Sequence, residues 1–143
     1  MRHILSLLAF IFWSTGIFSA NAGPEPAISG GNQPAPGKKV EVYYFHFTRR
    51  CTTCNNVEKV TKEAVEQQFA DKVKAGEITF RSINLDEKDG ETLGAKLKVE
   101  GQTLLIISGD KRVDITDKGF LYANNSPEKL KAEIKKAIDE MLK

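Results

Sequence analysis

The chain contains only two cysteines, Cys51 and Cys54, and two residues separate them. An aromatic and β-branched run ends just before them, and an amphipathic run begins just after them. A disulfide that closes so short a loop contributes at most about 2 kcal/mol through chain entropy, because that contribution grows with loop length. The spacing therefore favours a redox-active pair at a strand-to-helix junction over a disulfide that serves stability.

The first 22 residues have the composition of a secretory signal peptide. Arg2 and His3 form a short basic start, residues 4–18 are mostly apolar, and residues 20–22 offer an Ala-Asn-Ala cleavage site. The apolar run is shorter than the roughly 20 residues that span a bilayer, and an uncleaved N-terminal anchor is the alternative. We expect cleavage, a secreted or periplasmic location, and no stable membrane insertion of the mature protein.

Residues 23–38 combine prolines and glycines with small polar residues, and they carry almost nothing that could be buried. This composition predicts a flexible linker. Residues 39–143 are long enough for one domain with its own core. The formal net charge of the chain is only +2, with lysines and glutamates interspersed. Because no extended basic stripe is present in the sequence, nucleic acid is not expected as a partner.

The order of predicted elements after residue 39 indicates an α/β domain. The pattern predicts strands at residues 40–47, 78–86, 103–108 and 112–116, and helices at residues 57–73, 87–99 and 127–141. The first strand is apolar on both faces, which is typical of a buried central strand. Parallel strands need right-handed helical crossovers, so the order βαβαββα predicts a mixed central sheet of about four strands with helices on both faces.

This order and the place of the cysteine pair resemble the thioredoxin-like fold. Two further local matches are the run Ser-Ile-Asn-Leu-Asp at residues 82–86, which resembles the second parallel strand, and residues 103–110, which resemble the strand and turn after the active-site proline of thioredoxins. The resemblance covers roughly residues 39–143. It implies a thioredoxin-like domain in which a redox-active disulfide does the chemistry and no separate cofactor is bound.

A narrower resemblance lies in residues 43–54, which read Tyr-Tyr-Phe-His-Phe-Thr-Arg-Arg-Cys-Thr-Thr-Cys. This run is similar to small exported thioredoxin-like proteins known as a nitrophenyl compound nitroreductase subunit. That resemblance implies electron delivery to a nitroaromatic arsenical in an arsenic-resistance setting. The residues themselves do not point to such a substrate, and the sequence contains no flavin or nicotinamide fingerprint.

Three positions near the cysteines differ from ordinary thioredoxins. In our alignment, Phe45 stands where a buried carboxylate usually assists proton transfer, Arg50 replaces a tryptophan, and Gln102 replaces the cis-proline. A cis peptide before Gln102 would cost about 2.5–4 kcal/mol, so we expect a trans peptide there. The resemblance makes Gln102 and Thr103 the candidate substrate-binding residues.

Cys51 is the predicted nucleophile. At the first turn of a helix it faces unpaired N–H groups and the positive end of the helix dipole, and both favour a thiolate. Arg50 adds a positive charge that is expected to stabilise this thiolate. Cys54 lies one turn further along, within disulfide reach, and is predicted to resolve the mixed disulfide. Thr52 and Thr53 are expected to cap the helix.

Three more side chains are candidates for proton transfer. His46, on the predicted buried strand, is a hydrogen-bonded core residue, a proton-transfer or thiolate-stabilising group, or a metal ligand. Glu58 and Asp86 are either proton acceptors or solvated surface groups. Residues 120–122, Phe-Leu-Tyr, are expected in a loop near the cysteines, where they cover the core edge or form an apolar patch that faces a partner.

These features predict an exported thiol-disulfide oxidoreductase or electron-transfer subunit. Its partners would be protein thiols or disulfides, among them a membrane-bound thiol reductant. The alternative is a binding module of the same fold that holds a metal ion or a protein partner without redox turnover. Two thiolates and His46 are ligand types suited to zinc or Cu(I), but a fourth protein ligand is lacking, so we predict no metal site.

Overall fold

The computed structural model describes residues 39–143. The strands are Val40–His46 (β1), Ile78–Asn84 (β2), Thr103–Ser108 (β3) and Lys111–Asp114 (β4). The helices are Thr52–Gln68 (α1), Ala70–Lys74 (α2), Lys88–Lys96 (α3), Thr116–Tyr122 (α4) and Pro127–Leu142 (α5). The predicted signal peptide and linker lie outside the described residues. Within residues 39–143, no helix is both long and apolar enough to cross a membrane.

β1 lies inside the sheet, whose strand order is β2-β1-β3-β4. It runs parallel to β2 and antiparallel to β3, and β4 completes the sheet as an antiparallel edge strand. The connection from β1 to β2 contains α1 and α2, as a parallel pair requires. Phe45 is opposite Thr103 in the register of β1 with β3. The end of β1 and the start of β3 therefore meet at one end of the sheet.

Helices cover both faces of the sheet, and β1 supplies side chains to both because successive strand residues point to opposite faces. On one face, alternate residues of β1 pack in a large core with α1 and α5. On the other, Tyr43 and Phe45 pack in a smaller core against which Leu93 of α3 also packs. This architecture confirms the predicted fold class, a thioredoxin-like α/β fold with a mixed four-stranded sheet and helices on both faces.

The helix predicted after the cysteines is two helices in the structure. α1 ends at Gln68, and Phe69 has a non-helical backbone with φ −129° and ψ 28° before α2 begins. Phe69 is only 7% exposed, and Val73 of α2 packs against the same large core. Because the apolar residues continue with near-helical spacing across the break, periodicity alone could not reveal it.

Helix α4 is absent from the sequence prediction, which puts a strand end and a loop there, so the order is βααβαββαα rather than βαβαββα. Asp114 ends β4, and its Oδ1 accepts a hydrogen bond from the N–H of Thr116 at 2.9 Å. Gly119 lets α4 approach α1, since a Cβ there would lie 3.2 Å from Cγ1 of Val57. Glycine lowers helix propensity, so the residue that permits this packing also weakens the helical pattern.

Gly90→Ala should destabilise the domain. A Cβ at Gly90 would lie 1.9 Å from the carbonyl oxygen of Asn84, a backbone atom that cannot rotate away. We expect the free energy of unfolding in urea to fall by about 2 kcal/mol or more. Gly101→Ala is the matched control, because no atom lies within 4 Å of a Cβ there. Equal effects of the two substitutions would contradict the close approach of α3 to β2.

Candidate redox site

Cys51 and Cys54 form a disulfide at the start of α1. Their Cα atoms are 5.2 Å apart, within the range that a disulfide needs. Cys51 is the exposed N-cap residue, whereas Cys54, in the first turn, is only 2% exposed. A partner can therefore reach Cys51 first. This is the asymmetry that the predicted roles of nucleophile and resolving residue require.

Each sulfur accepts a hydrogen bond from the backbone of the other cysteine. The N–H of Cys54 donates to Sγ of Cys51 at 3.2 Å, and the N–H of Cys51 donates to Sγ of Cys54 at 3.3 Å. The Cys51 sulfur is thus the cap of α1, and the prediction that Thr52 or Thr53 caps the helix is wrong. An N–H donor and the positive end of a helix both favour a negative sulfur, so this position suits a Cys51 thiolate.

Arg50, predicted to stabilise that thiolate, forms an ion pair with Glu58. The two side chains are each 27% exposed, so water only partly screens the pair. Glu58 lies one turn of α1 beyond Cys54, and the ion pair extends from the residue before the cysteine pair to the turn after it. Because the guanidinium is engaged by a carboxylate, its effect on Cys51 is reduced in this arrangement.

Tyr44, rather than Phe45, is the β1 residue that faces α1. Phe45, which our alignment places where thioredoxins have a buried carboxylate, packs in the smaller core on the opposite face. Tyr44 is fully buried, and its hydroxyl has no hydrogen-bond partner within residues 39–143. Burial raises the pKa of Tyr44 to about 12, and the charges of Arg50 and Glu58 also act on it.

His46 ends β1 and is 7% exposed. Its Nδ1 lies 3.0 Å from the carbonyl oxygen of Phe47. A carbonyl only accepts, so Nδ1 donates in this contact, and any proton exchange with a thiol would use Nε2. This contact agrees with the first alternative predicted for His46, a hydrogen-bonded core residue. A role in proton transfer stays a prediction. In the part of the chain that the structure describes, no three His, Cys, Asp or Glu side chains are grouped to hold a metal ion.

Gln102 and Thr103 lie where β3 begins, at the end of the sheet where β1 leads to Cys51. Both are half-buried, and the hydroxyl of Thr103 donates to the carbonyl of Gly101 at 3.0 Å. From residue 39 to 143 the structure has no cis peptide bond, which agrees with the trans peptide expected before Gln102. Their role in substrate binding stays a prediction.

Asn124 is a residue of this region that the sequence analysis misses. It lies in the loop after α4, where its Nδ2 donates to Oγ1 of Thr53 at 2.7 Å and its Oδ1 accepts from Nδ2 of Asn56 at 2.9 Å. These bonds fasten the loop to the start of α1 beside the disulfide. The sequence signal is only a pair of asparagines before a helix, which is equally typical of a solvated turn.

Residues 120–122 belong to α4 rather than to a loop. Phe120 and Tyr122 are partly buried against the large core, so they cover its edge, which is the first of the two alternatives given above. Leu121 is 60% exposed.

Asp86 holds the segment between β1 and α1 through a hydrogen bond to Thr48. Its Oδ2 accepts a hydrogen bond from the N–H of Thr48 at 2.7 Å, and Nδ2 of Asn84 donates to the Thr48 hydroxyl at 3.0 Å. The bond from the Thr48 backbone is the main cause that lowers the pKa of Asp86 below its ordinary 3.8. A carboxylate with a lowered pKa is a weak proton acceptor near neutral pH. The contacts favour a role for Asp86 in holding the loop.

A cleft of about 540 Å³ opens beyond the end of β1 and includes neither cysteine. Apolar and charged side chains both line it. The lining residues are Phe47, Leu85, Glu91, Ala95, Lys98, Val99 and Glu100. Its lining includes residues 98–100, which lead to Gln102 along the chain.

Asp86→Asn should weaken the dependence of stability on acidic pH. The pKa of Asp86 is lower in the folded protein than its ordinary 3.8, so the unfolded chain binds more protons in this range and stability rises with pH. The stabilisation is complete above the ordinary value and is lost as pH falls through the lowered one. Below about pH 4, urea midpoints should fall more steeply for the wild type than for Asp86→Asn.

The control for this comparison is Asp110→Asn, which removes an equal charge from the exposed turn between β3 and β4. It should follow the wild-type curve. If the curves of wild type and Asp86→Asn run parallel in acid, the hydrogen bond from Thr48 to Asp86 does not contribute to stability.

Tyr44→Phe should leave the domain as stable as the wild type or more stable. The substitution removes a buried hydroxyl that has no partner among the described residues, and such a group costs about 1–3 kcal/mol. We expect a gain of up to about 1 kcal/mol in the free energy of unfolding in urea. A loss of about 1 kcal/mol or more would show that the hydroxyl is hydrogen-bonded after all, for example to a buried water.

Comparison with solved structures finds a similarity to the crystal structure of Deadhead, a germline-specific thioredoxin (thioredoxin-1) from Drosophila melanogaster. The TM-score is 0.45 at 20% sequence identity, and the match covers 69% of this chain and 81% of that chain. A second structure, of a malarial protein, has a TM-score of 0.39 at 20% identity and covers 53% of this chain and 80% of that chain. No family model and no curated protein matches the chain. The thioredoxin-like fold of residues 39–143 therefore rests on the sheet order and the placement of the helices.

Proposed function

We propose that the protein is an exported thiol-disulfide redox protein that carries electrons through Cys51 and Cys54. The observation that carries the proposal is the disulfide at the start of α1, with Cys51 exposed and Cys54 2% exposed. The helix N-terminus favours a thiolate at the exposed sulfur, and the buried sulfur is near enough to attack it in turn. The cysteine pair carries two electrons when it is reduced to the dithiol, so the proposal requires no bound cofactor.

The reaction begins from the reduced pair. The Cys51 thiolate attacks one sulfur of a partner disulfide, the partner S–S bond breaks, and one partner thiolate leaves as a mixed disulfide forms. Cys54 then loses its proton and attacks Sγ of Cys51, which releases the second partner thiolate. The partner has gained two electrons, and the Cys54 proton and one from solvent convert its thiolates to thiols. A protein thiol reductant, for which we favour a membrane-bound one, reverses these steps.

The surface near Cys51 supports a protein as the partner. Leu121 of α4 is 60% exposed, and it is our candidate for an apolar contact with the partner. Gln102 and Thr103 are our candidates to contact the partner chain next to its sulfur, and the cleft of about 540 Å³ lies beyond them. His46 is our candidate for proton transfer through Nε2, because its Nδ1 is engaged by a backbone carbonyl.

The resemblance of residues 43–54 to the nitrophenyl compound nitroreductase subunit extends the proposal to an acceptor. Electrons would pass from Cys51 to a system that reduces a nitroaromatic arsenical. Sequence resemblance alone supports this acceptor, and the exchange chemistry at the disulfide is the same for any other. The signal-like residues 1–22 support an extracytoplasmic site of action.

Alkylation across a series of glutathione redox buffers should show one reversible two-electron transition of the cysteine pair. We expect Cys51 to be modified before Cys54 near neutral pH, because it is exposed and its thiolate is favoured. Gel shifts measure the transition, and mass spectrometry of peptides assigns the modified cysteine. A pair that never cycles would contradict the electron-carrier proposal and favour a binding module of the same fold.

Two serine variants separate exchange from simple binding in the same experiment. Cys54→Ser lacks the resolving thiol, so partner proteins should accumulate in cells as mixed disulfides on Cys51 that a reducing agent releases. Cys51→Ser is the matched control and should trap none. Recovery of the same proteins with both variants would show association that does not depend on thiol exchange.

A further inference from the structure

The two residues of the Arg50–Glu58 ion pair flank the cysteine pair in the sequence. Arg50 immediately precedes Cys51, and Glu58 follows Cys54 by one helical turn. Each side chain is 27% exposed, so the interaction is less screened than one between fully solvated charges. The other carboxylates of α1 that form ion pairs, Glu63 and Glu66, lie further along the helix. Glu58 is therefore the paired carboxylate of α1 nearest the cysteines.

Few other groups compete for the Arg50 charge in the described part of the chain. From β1, Tyr44 and His46 are buried, and the Tyr44 hydroxyl has no hydrogen-bond partner within residues 39–143. From the loop after α4, the neutral Asn124 contacts the start of α1. Glu58 is the carboxylate that the structure pairs with the Arg50 guanidinium.

On the basis of the proposed redox function, we propose that Glu58 is a positioning residue: it holds the Arg50 guanidinium away from Cys51 and thereby sets the reduction potential of the disulfide. A guanidinium that is free to approach Cys51 would stabilise the thiolate. A stabilised thiolate favours the reduced form, and the disulfide becomes more oxidising. With the pair intact, the protein keeps a lower potential and donates electrons more readily.

The potential is measured in the full chain against glutathione. Two glutathione thiols reduce the Cys51–Cys54 disulfide to a dithiol and become one glutathione disulfide, so one S–S bond forms as another breaks and two electrons enter the protein. Glu58→Gln should increase the equilibrium constant for this reduction about three- to tenfold, as expected for one charge altered within several ångströms. A tenfold change corresponds to about 30 mV. The pKa of the Cys51 thiol should fall in the same variant.

A double-mutant cycle tests whether Glu58 acts through Arg50. Arg50→Gln alone should lower the equilibrium constant or leave it unchanged. In the Arg50→Gln background, the effect of Glu58→Gln should shrink to half or less of its wild-type size on a logarithmic scale, because no guanidinium remains to be released. Equal effects in the two backgrounds would mean that Glu58 acts only as a distant charge, and they would overturn the proposal.

Glu66→Gln is the matched control, since it removes a carboxylate from an ion pair with Lys62 on the exposed part of α1. It should leave the potential unchanged. Glu58→Asp keeps the charge on a shorter side chain and should give an intermediate potential, so the test does not depend on a single variant. A normal wild-type transition without a shift in Glu58→Gln overturns this inference and leaves the carrier function standing. A wild type that never cycles overturns both.

Discussion

Burial of β1 on both faces is the constraint on which the rest of this structure depends. The strand has hydrogen-bonded neighbours on both sides and a core on each face. A strand in that place cannot slip by one residue without moving every side chain to the wrong face. The segment that follows it is short and is tied to Asp86 through Thr48. The position of Cys51 is therefore fixed by the most buried strand of the domain.

Much of this architecture could be predicted from the residue pattern. The two-faced apolar run of β1, the hairpin of β3 and β4 and the long amphipathic helices α1 and α5 each have a periodicity that tertiary packing does not override. The helix α4 could not be predicted in this way, because Gly119 lowers the helix propensity of this segment. The helix is stabilised instead by packing against α1, where Gly119 lies close to Val57. The break at Phe69 could not be predicted for a different reason. A buried apolar residue is expected at this position whether the helix continues or ends.

The candidate site, too, could be predicted only in part from the sequence. Local spacing identifies the cysteine pair and its place at the start of a helix. The partners of the nearby polar and charged side chains depend on contacts that no local pattern encodes, such as Arg50 with Glu58 or Asn124 with Thr53. Which β1 side chain faces α1, Tyr44 rather than Phe45, is decided by the alternation of side chains along the strand.

The cap of α1 has a consequence of its own. Because the capping atom is a sulfur of the redox pair, the helix changes its cap whenever the protein gains or loses electrons. A thiolate accepts an N–H hydrogen bond more strongly than a neutral sulfur. Folding free energy and electron affinity are then reciprocal parts of one thermodynamic cycle. The loop after α4 contacts the start of α1 through Asn124. If such a contact stabilises the start of α1 more in one redox state than in the other, it changes the reduction potential without contacting either sulfur.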